Sequence, residues 1–195
     1  MNISHFPGAA ALSEFRQQRL LAALNLVDDD NVSDIHGRWV HFVACAEALT
    51  GGEQERVAAL LTYGEPAAAA PADGVTLLVI PRFGTVSPWA SKATDIAHNC
   101  GLAKVHRIER GVEYTLTLRG AGAGTTWSAA RRAALAAVMH DRMIETVVAD
   151  RDAARRLFDE LPPRPLRTVD LLGGGRAALA RANTEGGFAL ADDEM

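Results

Sequence analysis

The chain has 195 residues, is 48% hydrophobic and 23% charged, and carries a formal net charge of −4. That is enough sequence to bury a real core in one compact domain with an appendage, and the acidic balance argues against nucleic acid or an anionic membrane as the main partner. No apolar run approaches the roughly 20 residues that span a bilayer, no basic-then-apolar leader opens the chain, and two cysteines, Cys45 and Cys100, without metal-ligand spacing point to a reducing, cytoplasmic setting.

In chain order, Ser13 opens a helix with Phe15, Leu20, Leu21 and Leu24 apolar, and a strand is expected from Ile35 to Cys45. The pattern Thr50-x-x-Glu53 is a capping box for a helix that turns Val57, Leu60 and Leu61 inward. The apolar run up to Ile80 reads as a buried strand, ended by Pro81. Ser87 is a helix N-cap, Pro88 suits the first helical position, and Gly101 closes the helix. Along that helix Trp89, Ala93, Ile96, Ala97 and Cys100 share an expected apolar face. A long strand over 104–118 follows, then a helix with Trp127, Leu135, Val138 and Met139, and a short strand from Met143 to Val148. Alternation of Val112, Tyr114, Leu116 and Leu118 with Glu113, Thr115 and Thr117 predicts a sheet with one covered and one more polar face.

Helices on the covered face give an α+β fold, a two-layer sandwich of two repeated helix–strand–helix–strand halves. Placing Val40 on Val112 and Phe42 on Tyr114 suggests a repeat of about 70 residues. After Asp150 an Arg-rich helix, Arg151–Phe158, runs into a proline-rich break that ends helical structure. The expected division is therefore a domain over 1–150 and a linker region over 151–195, the tail beyond Pro162 being the least ordered part.

Several constellations invite chemistry. Ser91, Asp95 and His98 share a helical face, yet a triad also needs an oxyanion site and a held substrate. A capping or interface network is the preferred reading. Cys100 lies two residues from His98, where side chains diverge around a helix; a core cysteine is preferred to a nucleophile. Gly173-Gly174-Gly175 lacks a preceding strand and a phosphate-binding lysine, so a plain turn is preferred to a phosphate cradle. No catalytic, metal or cofactor-binding residue is assigned. Arg107, Glu109 and Arg110 flank Gly111, which marks a bulge or a close backbone approach. For these charges an interdomain contact and an ordinary charged strand face stand equal.

The runs PRFGTVSPWASKATDIAHNCGL and RIERGVEY resemble the N-terminal domain of the large, single-chain phosphoribosylformylglycinamidine synthase family of purine biosynthesis. The likeness continues in order through SEFRQQRLLAAL, WVHFV, LLTYG, HDRMIETV and VDLLGGGRAAL, departing at a Gly120–Gly124 loop and an alanine run after Pro66. The resemblance implies the front end of a much longer ligase, similar to a fused dimer of the small subunit found where the enzyme is split. It implies ATP and magnesium for the parent enzyme, none in this segment, and partners in the synthetase and glutaminase domains of the same chain. The helix surface, Ser91, Lys92, Asp95, His98 and Asn99, together with Arg82, Ser87 and Arg110, is expected to contact those domains and carry ammonia transfer by geometry rather than chemistry. A free-standing small-molecule regulatory module is the alternative.

Overall fold

Runs of β-branched and aromatic residues alternate with capped helices, and each opens where its sequence signal stands. In the computed structural model the described residues are 1–29, 31–71, 74–119, 127–160, 162–163 and 165–195; the Gly120–Gly124 loop lies outside them. The order is β1 (Asn2–Ala10), α1 (Glu14–Val27), β2 (Val32–Cys45), α2 (Gly51–Leu60), β3 (Val75–Pro81), α3 (Pro88–Asn99), β4 (Val105–Leu118), α4 (Ala129–Met139) and β5 (Glu145–Val148). A 3-10 turn, Ala153–Phe158, and α5 (Leu171–Gly186) follow. Ser13, Ser87 and Ser128 each accept a backbone N–H at a helix start, and Thr50 and Glu53 form the expected reciprocal capping box.

The fold is α+β, with one antiparallel sheet in the order β1-β2-β4-β3-β5. Strand β1 was not foreseen in the sequence because Pro7 and Gly8 interrupt its pattern. It is an edge strand, where a missing N–H is tolerated, and its pairing with β2 shifts register between Pro7 and Ala10. The central β2 and β4 are each 14 residues long and antiparallel. Each is flanked by the strand that precedes it by one helix, the arrangement of two strand–helix–strand–helix halves about a two-fold axis. The alternating helix–strand order is as expected, but the sheet sets the repeat frame one strand earlier, with β5 added outside β3.

The register also corrects the residue correspondence. Val40 lies opposite Gly111 and Val112 opposite Trp39. Directly paired residues share a face and neighbours alternate, so Val40 and Val112 point to opposite faces. The same holds for Phe42 and Tyr114, so neither expected pair can be equivalent in halves that share one sheet.

Both faces are apolar. On the helical face, one cluster gathers Leu24, Ile35, Leu77, Val79, Leu116 and Leu135 beneath α1 and α4, and a second gathers Val43, Val57, Ala97, Leu102 and Ile108 beneath α2 and α3. The other face, expected to be more polar, carries Val40, Phe42, Leu78 and Ile80, covered by Ala154, Leu157 and Phe158. Arg107 stacks on the Phe158 ring and donates to the Leu157 carbonyl, while Arg151 and Arg38 both pair with Glu113. Residues 151–160 therefore belong to the first unit, Met1–Glu160, and the break falls ten residues beyond the expected boundary at 150.

The second unit, Leu161–Met195, is built on α5. Asp170 caps the helix through the Gly173 N–H, and Gly175, at φ 54°, kinks it. The capping carboxylate engages the Gly173 amide, and the three glycines expected to form a plain turn lie within the start of α5, up to the kink.

Candidate functional site

Three polar ties fasten α3 to β4. The Ser87 hydroxyl donates to Glu109 at 2.8 Å while accepting the Ala90 N–H at 3.0 Å. Thr94 Oγ1 accepts the Ile108 N–H at 3.0 Å, and His98 Nε2 lies 2.6 Å from the Val105 carbonyl oxygen. Ser87, Thr94 and His98 thus form a polar stripe at helical spacing, with Ala90 and Ala97 buried beside it. Small residues here let the helix sit close to the strand. Ile96, placed on the apolar face from sequence, is 53% exposed, and Cys100 is exposed rather than in the core. The true contact face is rotated, because Thr94 and His98 bond to strand backbone and carry it round.

Glu109 is fully buried. Burial pushes its carboxyl pKa upward, opposed by the Ser87 hydrogen bonds and by Arg107. Its role is to receive the first turn of α3. Gly111 marks a close approach rather than a bulge: the ladder runs through it without a register shift, and a Cβ there would lie 2.6 Å from the Val79 carbonyl oxygen.

Arg110 is the centre of the site. Its guanidinium carbon lies 4.1 Å from the Trp39 ring centroid and 4.7 Å from that of Trp89, so the cation is held between two indoles. One of its terminal nitrogens donates to the Tyr63 hydroxyl at 3.3 Å, and that hydroxyl lies 2.8 Å from Nε2 of His41. His41 is fully buried, which pushes its pKa down to about 4, with Arg110 adding to the shift. The imidazole is therefore neutral at pH 7, and the guanidinium holds the positive charge of the cluster.

Trp39, Trp89 and Arg110 form one wall of a cleft of about 460 Å³ on the first unit, whose lining also includes Arg82, Ser87, Val86, Met143 and Ile144. Of the expected contact residues, Arg82, Ser87 and Arg110 meet here. Ser91, Lys92, Asp95 and Asn99 lie outside it, exposed on α3, and make no side-chain hydrogen bond among the described residues. His98 is also exposed on α3, while its ring bonds to the strand. Sequence reasoning missed Trp39, Tyr63 and His41 as site residues. Trp39 and His41 lie two apart on β2, where the register sets His41 opposite Arg110, and Tyr63 follows α2; neither placement has a local signal.

No hydrogen bond links Ser91, Asp95 and His98 among the described residues, and no group of three or more metal-ligating side chains occurs among them. Arg110 sets a positively charged, donor-only group on the wall of the cleft, a feature suited to receiving a negative group or a surface. A model of the N-terminal region of formylglycinamide ribonucleotide amidotransferase matches residues 38–158, spanning β2 through the 3-10 turn and including Trp39, Trp89, Arg110 and the covering segment with Phe158. The match takes in more than half of the chain and the whole of the cleft, and the chain belongs to the formylglycinamide ribonucleotide amidotransferase N-terminal family.

Proposed function

We propose that this chain acts as the N-terminal scaffold segment of phosphoribosylformylglycinamidine synthase, the ATP- and glutamine-dependent ligase of purine biosynthesis in the cytoplasm. In this reading it helps dock the glutaminase and synthetase domains so that ammonia passes between them, and ATP and magnesium serve the synthetase rather than this segment. The observation that carries the reading is the outer face of α3. Ser87, Thr94 and His98 are spent on fastening the helix, yet Ser91, Lys92, Asp95 and Asn99 stand exposed with no side-chain hydrogen bond among the described residues. A helix fixed so firmly presents those groups at defined positions, which lowers the ordering cost of contact with a partner.

Nitrogen source separates docking from chemistry. In the complete amidotransferase, Lys92→Ala should lower glutamine-dependent synthesis several-fold and leave synthesis driven by added ammonium unchanged. Equal loss with both sources would place Lys92 at the synthetase active site, and no loss with either would make this face ordinary solvated surface.

A further inference from the structure

The cleft beside Arg110 has features that the fold does not require. Val86, Met143 and Ile144 line it and are 53%, 76% and 65% exposed, an apolar margin left open to water. Arg110 and Arg82 both line it, and neither takes part in an ion pair among the described residues. The one carboxylate in the lining, Glu145, is engaged by the Asp141 N–H at 2.8 Å. Arg110 gives one nitrogen to Tyr63 and keeps the others for a further acceptor. The cleft is therefore apolar and cationic, with its cation already immobilised between Trp39 and Trp89.

Such a surface calls for an occupant that brings a negative charge and apolar area together. Met143 and Ile144 line the cleft and also extend well out into solvent, so a polypeptide laid across it covers more of their apolar area than a small ligand seated inside. Tryptophan, methionine and arginine are also the side chains enriched at protein interfaces, and a pre-set guanidinium forms a bidentate pair with a carboxylate at small entropic cost.

We propose that this cleft is the docking site for a polypeptide segment that sets an aspartate or glutamate against Arg110 and an apolar side chain against Val86 and Ile144, supplied by another domain of the amidotransferase. This rests on the docking reading above and adds to it the place and the chemistry of the contact.

The test is a titration of the 195-residue chain with the synthetase–glutaminase portion of the amidotransferase produced separately. Ile144→Glu and Arg110→Gln should each raise the Kd at least about tenfold. Leu26→Glu, at an 88% exposed position on α1, should leave it unchanged. The wild-type Kd should rise with ionic strength, and Arg110→Gln should flatten that dependence, because the carboxylate it removes from pairing no longer contributes. Thermal melts of all three variants establish that they are folded. Binding that neither cleft variant weakens would overturn the cleft and leave the docking reading standing. Absence of any binding by the wild-type chain would remove the docking reading and the cleft with it. A Kd weakened by Ile144→Glu but indifferent to salt and to Arg110→Gln would overturn the carboxylate assignment.

Discussion

His41 shows how burial alone sets a charge state. With its ring wholly enclosed and its pKa pushed down to about 4 from an ordinary 6.5, it stays neutral in the fold across a range where the unfolded chain would be protonated. The unfolded state then binds more protons between those two values. Its contribution to stability is complete above pH 6.5 and falls as the pH drops towards about 4, by about 3 kcal/mol over the full window. Glu109, with its pKa raised, has the opposite sign, but it is common to wild type and a His41→Gln variant and cancels between them. Urea midpoints at pH 7 and near pH 4 should therefore differ less for His41→Gln than for wild type; an identical pH response would show that His41 titrates freely. Ile96 carries a second expectation at this scale. Because it is 53% exposed, Ile96→Ala should cost about 0.5 kcal/mol or less by thermal melting. A loss of roughly 2–5 kcal/mol would restore it to the core. Hydrophobic spacing marked Ile96 as inward because it weighs apolar residues alone, while the helix is oriented by hydrogen bonds from Thr94 and His98.

Between elements, the legible and the illegible divide by range. Helix starts depend on residues three apart, so Ser13, Ser87 and the Thr50–Glu53 box could be read directly. The strands β2 and β4 announced themselves through long β-branched runs. Register is different, since a slip of one residue exchanges the faces of a strand. Nothing local shows whether Val40 or Trp39 shares a face with Val112, and only the ladder decides it. The Arg151–Phe158 stretch was recognised as a short helical element, but its attachment was hidden. Arg107 and Phe158 are far apart in sequence, and the second face of the sheet needed a cover that the alternation in β4 did not reveal. Phe158→Ala should therefore cost about 3–5 kcal/mol, as a buried aromatic does. An exposed linker residue would cost a few tenths at most, and a urea titration separates the two outcomes.

At the scale of the whole chain, residues 1–160 form one unit, and Ala154, Leu157 and Phe158 near its end are part of its core. A chain ending at 150 loses the cover over Val40, Phe42 and Ile80, together with the Arg151–Glu113 pair. It should melt at least about 10 °C below a chain ending at 160, given the loss of several kcal/mol and a shift of about 2–4 °C for each. Equal melting temperatures would return the boundary to 150. The α+β class and the family were readable from extended sequence runs, whereas the Arg110 cleft was readable only in part. Arg82, Ser87 and Arg110 stood out as polar residues in an unusual stretch, but two of the aromatic partners of Arg110, Trp39 on β2 and Tyr63 after α2, lie outside it.

Docking through α3 and the cleft is tested most directly by hydrogen exchange of the 195-residue chain, alone and mixed with the synthetase–glutaminase portion of the enzyme. Binding should slow exchange over residues 82–99 and 141–145 and leave α1 unchanged. Slowed exchange confined to α1 or α5, or no slowing under conditions where a separate titration shows the complex to be formed, would contradict the placement of the interface on this face.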